Sequence, residues 1–131
     1  MSRKNIEEFF MNLKRLGNSF QDAWKGIVFV FRNEQNFRIQ IFVSFLVFLL
    51  VWYFPLSKGE LIVIILLVFF VLILELLNSA VERLADVLKP RLSYQIKIVK
   101  DIMAAIVFIT TIASVIIGGI IFWPYLVALF V

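Results

Sequence analysis

An all-α integral membrane protein is predicted from three features: an apolar content beyond what a small soluble domain can hide, three hydrophobic runs of membrane-spanning scale, and an N-terminal segment with an amphipathic helical period. Of 131 residues, 63% are hydrophobic and 15 are phenylalanine. With a mean hydropathy of +1.00, a chain this short could not be given a polar surface. Cysteine and histidine are both absent, which excludes disulfide frameworks, Cys/His zinc sites, thiol nucleophiles and Ser-His-Asp relays. Chemistry is left to carboxylates, amides, hydroxyls, Lys and Arg. The net charge of +4 suits an anionic membrane surface or a phosphorylated ligand, and no nucleic-acid partner is expected.

The elements follow in order. Within residues 1–38, Ile6, Phe9, Leu13, Leu16, Phe20, Trp24, Ile27 and Phe31 recur at three- and four-residue steps, with Lys14, Arg15, Asp22 and Lys25 on other faces. This is the period of an amphipathic helix lying in the inner membrane interface, with Gly17 a candidate break. The first span is residues 39–54, short but flanked by Arg38 and the interfacial pair Trp52 and Tyr53, and ended by Pro55. A turn over 55–60 leads to the second span, 61–81. Its helix continues into water as far as Leu88, because Pro90 disfavours helix at Lys89. Residues 82–101 form this cytoplasmic extension and a loop. The third span is 102–122, followed by the aromatic marker Trp123-Pro124-Tyr125 and a short apolar tail. On it, Thr110, Ser114 and Gly118 make a small-residue face suited to close helix packing. With no internal repeat or linker, residues 1–131 read as one membrane domain.

Positive charge sets the orientation. Seven Lys or Arg residues precede the first span, five lie between the second and third, and only Lys58 lies in the other loop. The N-terminus and the 82–101 segment are therefore expected in the cytoplasm.

Polar residues inside the second span carry the functional signal. Glu75 interrupts the apolar run 61–77, and a charge at that depth costs about 2.5 to 3.5 kcal/mol on insertion scales. Counting from Leu61, it lies about 21 Å from the outer boundary of a core about 30 Å thick, in the cytoplasmic half. Asn78, Glu82 and Asp86 follow at steps of three, four and four, which places all four in one helical stripe. Glu34, Lys100 and Asp101 fall at the same cytoplasmic level. Carboxylates of this kind suit Mg²⁺, which takes one or two of them together with substrate phosphates. The glycines form no phosphate-cradling loop, and without histidine there is no protein-kinase catalytic loop. Read from the residues alone, the cluster fits a nucleotide-dependent reaction, polar packing between helices, or a small proton-coupled transporter using Glu75.

A resemblance separates these readings. The string Glu75-Leu76-Leu77-Asn78-Ser79-Ala80-Val81-Glu82, then Asp86, then Lys100-Asp101-Ile102-Met103-Ala104-Ala105, closely resembles the signature of the prokaryotic diacylglycerol kinase and undecaprenol kinase family. Ala23-Trp24-Lys25-Gly26 and Asn33-Glu34-Gln35-Asn36-Phe37-Arg38 resemble its surface helix and entry to the first span. The likeness runs from about Arg15 to Phe122. It implies a small lipid kinase of the bacterial plasma membrane, with three spanning helices and a surface helix. Such kinases assemble as homotrimers with active sites shared between subunits, and move the γ-phosphoryl of Mg-ATP to a lipid alcohol.

Carried over by position, the resemblance makes Glu75 the base and Glu34 and Glu82 the Mg²⁺ ligands. Asn78 would position the reacting groups and Lys100 would contact phosphate, with Arg15, Asp86 and Asp101 near the nucleotide. Depth agrees, since Glu75 is the most shielded and Glu82 lies two turns nearer water.

Two departures stand out. The stretch Pro90-Arg91-Leu92-Ser93-Tyr94-Gln95-Ile96 lacks the histidine common in the family, and Gln40 stands where an acidic residue or histidine is frequent. The ending Ile116-Ile117-Gly118-Gly119-Ile120-Ile121-Phe122-Trp123-Pro124 resembles the undecaprenol kinase branch and favours undecaprenol over diacylglycerol.

Overall fold

The structure is a computed structural model and describes residues 2–88 and 93–131. The described residues form four helices, α1 (Arg3–Asn33), α2 (Gln35–Tyr53), α3 (Lys58–Leu88) and α4 (Ser93–Ala128), with no strand among them. The last three are each long and apolar enough to cross a membrane. The chain divides into two compact units, residues 1–33 and 34–131.

The first unit is α1 alone, 31 residues long. It passes through Gly17 without the break that a glycine there allows, because the apolar period continues in step on both sides. A Cβ at Gly17 would meet nothing within 4 Å, so no close approach requires the glycine. Phe9, Phe10, Phe20 and Trp24 are exposed along the helix, the apolar face expected of a helix that lies at a lipid boundary.

In the second unit α3 is the middle helix and packs against both α2 and α4. A single residue, Glu34, separates α1 from α2. Its backbone is extended, at φ −112° and ψ 113°, and its side chain makes no capping hydrogen bond. At the other end of α2, Phe54 turns extended and Pro55 stops the helix; the Leu56 N–H then bonds the Phe54 carbonyl across the proline.

A reciprocal capping box starts α3. The Ser57 N–H donates to Glu60 Oε2 at 3.0 Å, and the Glu60 N–H donates to Ser57 Oγ at 3.2 Å, which satisfies donors that a helix start leaves open. The same Glu60 oxygen accepts the Tyr125 hydroxyl from α4. Beneath these polar contacts, Phe54, Ile64 and Phe122 form the buried core, with Leu56, Val68 and Tyr125 packed around it. The Phe54 ring centroid lies 6.2 Å from that of Phe122 and 5.7 Å from that of Tyr125, within the range of favourable aromatic pairs.

Tyr125 reaches this position because α4 continues through Pro124 to Ala128, where local sequence predicts an end near Phe122. A proline removes one helical hydrogen bond, but the core contacts of Phe122 and Tyr125 hold the chain in register on both sides of it. At about 1.5 Å per residue, α3 and α4 are about 46 and 54 Å long, so each exceeds a core of about 30 Å and extends beyond it. The expected helix stop at Pro90 and the basic residues Lys89 and Arg91 lie outside the described residues.

Ile64 is 2% exposed at the centre of the core. Ile64→Ala is expected to lower stability by about 2 to 5 kcal/mol and Ile64→Val by about 0.5 to 1.5 kcal/mol, measured by SDS-driven unfolding in mixed micelles. A loss under about 1 kcal/mol for the alanine variant would place the rigid part of the bundle elsewhere.

Candidate active site

The buried residues of α3 are Ile64, Val71, Glu75, Ser79 and Ala85, whose spacing marks one helical face. Glu75 is 5% exposed, so its carboxyl group is turned into the bundle and away from lipid. That is the arrangement expected of an ionisable group in a membrane helix with a function to serve.

Glu75 is not sealed in. It lines a cleft of about 300 Å³ together with Asn78, Asn36 and Gln40 from the start of α2, and Phe108 and Thr111 from α4. Three helices thus bring five polar side chains to one opening. Asn36 and Thr111 were not singled out by sequence reasoning as site residues. Asn36 lies within the Asn33 to Arg38 motif, and its polarity beside an apolar span was the available signal. Thr111 gave none, because adjacent Thr110 satisfies the same composition and only packing decides which of the two faces the cleft.

Glu34 and Glu82 lie close enough for their charges to act on Glu75. Both are half-buried, and Glu34 is not engaged in capping α2. From α4, Lys100 Nζ stands 4.0 Å from Glu82 Oε1 and 3.9 Å from Asp86 Oδ1. These separations are too long for direct hydrogen bonds, so the ammonium group sits between two carboxylates one turn apart without a committed bond to either. Asp101 is exposed and takes no part in that pairing. Arg15 is exposed on α1, in the other unit. Ser93 to Ile96 begin α4, while Pro90 to Leu92 are outside the described residues. Gln40, noted for its departure from the usual residue, is a cleft residue.

Among the described residues no three acidic side chains converge as a ready metal cage. The donor set still fits Mg²⁺, which dehydrates reluctantly and is commonly held by one or two carboxylates with phosphate oxygens completing its shell. Glu34 and Glu82 offer hard oxygen ligands of that kind.

A carboxyl group buried at the packed centre of three helices apolar enough to span a membrane, with acidic and basic groups beside it, is the candidate site. The comparisons with known proteins make this specific. The family model for prokaryotic diacylglycerol kinase matches residues 21–122. The chain is 36% identical over 130 residues to a diacylglycerol kinase of Synechocystis sp., covering 98% of this chain and 73% of that protein. It is 34% identical to an undecaprenol kinase of Bacillus subtilis, covering 87% and 93%, and 35% identical to a diacylglycerol kinase of Haemophilus influenzae, covering 85% and 95%. The chain belongs to the prokaryotic diacylglycerol kinase family and is a lipid kinase.

The Lys100 ion pairs are long and partly solvated, and exposed pairs of this kind contribute about 0 to 1 kcal/mol. Lys100→Gln is therefore expected to change unfolding stability by less than about 1 kcal/mol, measured as for Ile64. A larger loss would make Lys100 a structural residue.

Proposed function

We propose that this protein transfers the γ-phosphoryl group of Mg-ATP to the hydroxyl of a membrane lipid alcohol at the cytoplasmic side of the membrane, with Glu75 as general base. The observation that carries the reading is the burial of Glu75 at a cleft that the Asn36, Gln40, Asn78 and Thr111 side chains share. The Glu75 carboxylate would take the lipid hydroxyl proton. The lipid oxygen bonds to the γ-phosphorus as the bond from that phosphorus to the ADP oxygen breaks. Such transfers depend on positioning and charge neutralisation more than on covalent catalysis by the protein.

The chain's other residues divide that work. Asn78, one turn from Glu75 at the same cleft, would orient the reacting groups. Lys100 would exchange its loose pairing with Glu82 and Asp86 for phosphate oxygens, a stronger charge-assisted contact. Glu34 and Glu82 would hold Mg²⁺, which when bound neutralises phosphate charge. Asp86, Asp101 and Arg15 are assigned to the nucleotide side on the strength of their motif positions.

The large apolar residues Leu66, Phe69, Phe70 and Ile73 of α3 are exposed, a face that lipid or neighbouring subunits must cover. With the family resemblance, this supports a homotrimer whose sites are completed across subunits. The charge asymmetry supports a bacterial plasma-membrane protein with its N-terminus inside. Relatives are named for both diacylglycerol and undecaprenol. The extended end of α4, residues 116–124, favours undecaprenol as the acceptor.

Glu75→Gln is expected to fold and to slow phosphorylation by about 10² or more; near-parental turnover in a folded variant would remove Glu75 from the role of base. Glu34→Gln and Glu82→Gln are expected to raise the Mg²⁺ concentration needed for half-maximal rate, and titrations that overlay the parent's would cancel their ligand role. If sites are shared, with Glu75 from one subunit and Arg15 from its neighbour, co-assembling Glu75→Gln chains with Arg15→Gln chains should recover part of the activity that each lacks alone. Mixed assemblies with no recovery would place both residues of a site in one subunit.

A further inference from the structure

A second cavity lies between α2 and α4. It is a groove of about 220 Å³ floored by α3, lined chiefly by apolar residues such as Val43, Val47, Val68, Val71 and Phe122. Gln40 and Thr111 line both this groove and the cleft that holds Glu75, so the polar cleft passes directly into the apolar one. Along α3 the groove begins at Val71, one turn from Glu75, and ends at Ile64. The 11 residues from Glu75 to Ile64 span about 16 Å. Beyond Ile64 the way is blocked by the Phe54, Ile64 and Phe122 core, held by the Glu60 to Tyr125 hydrogen bond.

Gly118 and Gly119 form part of the α4 wall. Small residues in membrane helices commonly serve close helix approach. In such packing an added Cβ would touch the neighbouring helix, yet at both glycines it would meet nothing within 4 Å. Each glycine costs a helix about 1 kcal/mol relative to alanine, and no packing within the subunit accounts for the pair. The space beside them is open in the subunit, and unlike that beside Gly17 it borders the groove. The groove opens into the cleft of Glu75 through Gln40 and Thr111, and this continuity makes the hydrocarbon chain of a lipid whose hydroxyl reaches Glu75 its fitting occupant.

We propose that the groove seats a single hydrocarbon chain of the acceptor lipid, hydroxyl end at Glu75, and that Gly118 and Gly119 keep it open and so determine which chains are accepted. This rests on the lipid-kinase reading. Because the chain leaves one apolar medium for another, selection comes from fit to the groove rather than from the hydrophobic effect. The groove takes about the first 16 Å of one chain; the remainder of that chain, and any second chain, stays outside among the bilayer lipids.

The test uses full-length protein in mixed micelles with a short prenyl alcohol, a long polyprenol and diacylglycerol as acceptors. Gly118→Val and Gly119→Val add bulk into open space and should fold. Each is expected to raise KM for the long polyprenol by about tenfold or more, while KM for the short alcohol and for ATP changes by less than about twofold. An unchanged KM for the polyprenol overturns the proposal, as does an equal rise for short and long alcohols. Cross-linking that shows dispersed subunits with the chain-length profile intact would make the groove a subunit contact instead.

Independently of these variants, a polyprenol carrying a photoactivatable diazirine in its chain should label the 111–122 segment of α4 in the parent protein. Label confined to residues outside the groove overturns the proposal. Should the parent phosphorylate none of the three alcohols, the kinase reading itself fails; should it phosphorylate them with no difference between parent and glycine variants, only the groove assignment does.

Discussion

The burial of one carboxyl group in the middle helix of a membrane unit is the constraint on which the rest of this structure depends. Glu75 cannot face lipid without a large cost, so the helix that carries it must turn the 64–71–75–79 stripe inward and pack that stripe against both neighbours. Doing so brings the start of α2 and the middle of α4 alongside, and with them the amide and hydroxyl groups of Asn36, Gln40 and Thr111. The same requirement explains why α3 is central: a carboxylate on an outer helix would have a partner on one side only.

The two ends of the bundle are built differently. At the Pro55 end, a capping box, an interhelical hydrogen bond and an aromatic core fix the chain with redundant contacts. At the Glu75 end Glu34, Glu82 and Lys100 are half-buried around the buried Glu75 and Ser79, the Lys100 ion pairs are near 4 Å, and Glu34 interrupts the helix without a cap bond. Rigidity at one end lets the other be loosely committed, as a site that must admit and release charged ligands requires. Ser79, buried with its hydroxyl unpartnered one turn from Glu75, belongs to the same uncommitted group.

Lys100 shows how charge is managed there. Two carboxylates one turn apart repel, and an ammonium group held between them relieves this without desolvating any of the three fully. A phosphorylated ligand can then recruit the lysine at small cost to the fold, because little folding stability is invested in its present contacts.

Much of this was written in local sequence. Three spanning helices follow from three apolar runs, and the stripe Glu75, Asn78, Glu82 and Asp86 follows from the helical period, since both depend on neighbours within a few turns. The Ser57-x-x-Glu60 box is local in the same sense. Family signatures then attach a chemistry to those positions. Tertiary structure alone decided that Tyr125, 65 residues from Glu60, closes the far end, and that α4 runs through a proline that local propensity marks as a stop. It decided also that Thr111, rather than Thr110, joins the cleft, and that Gly118 and Gly119 border open space. Each of these depends on how one helix is rotated against another. A change of one residue turns a side chain by about 100°, and only the packing of whole helices selects the angle.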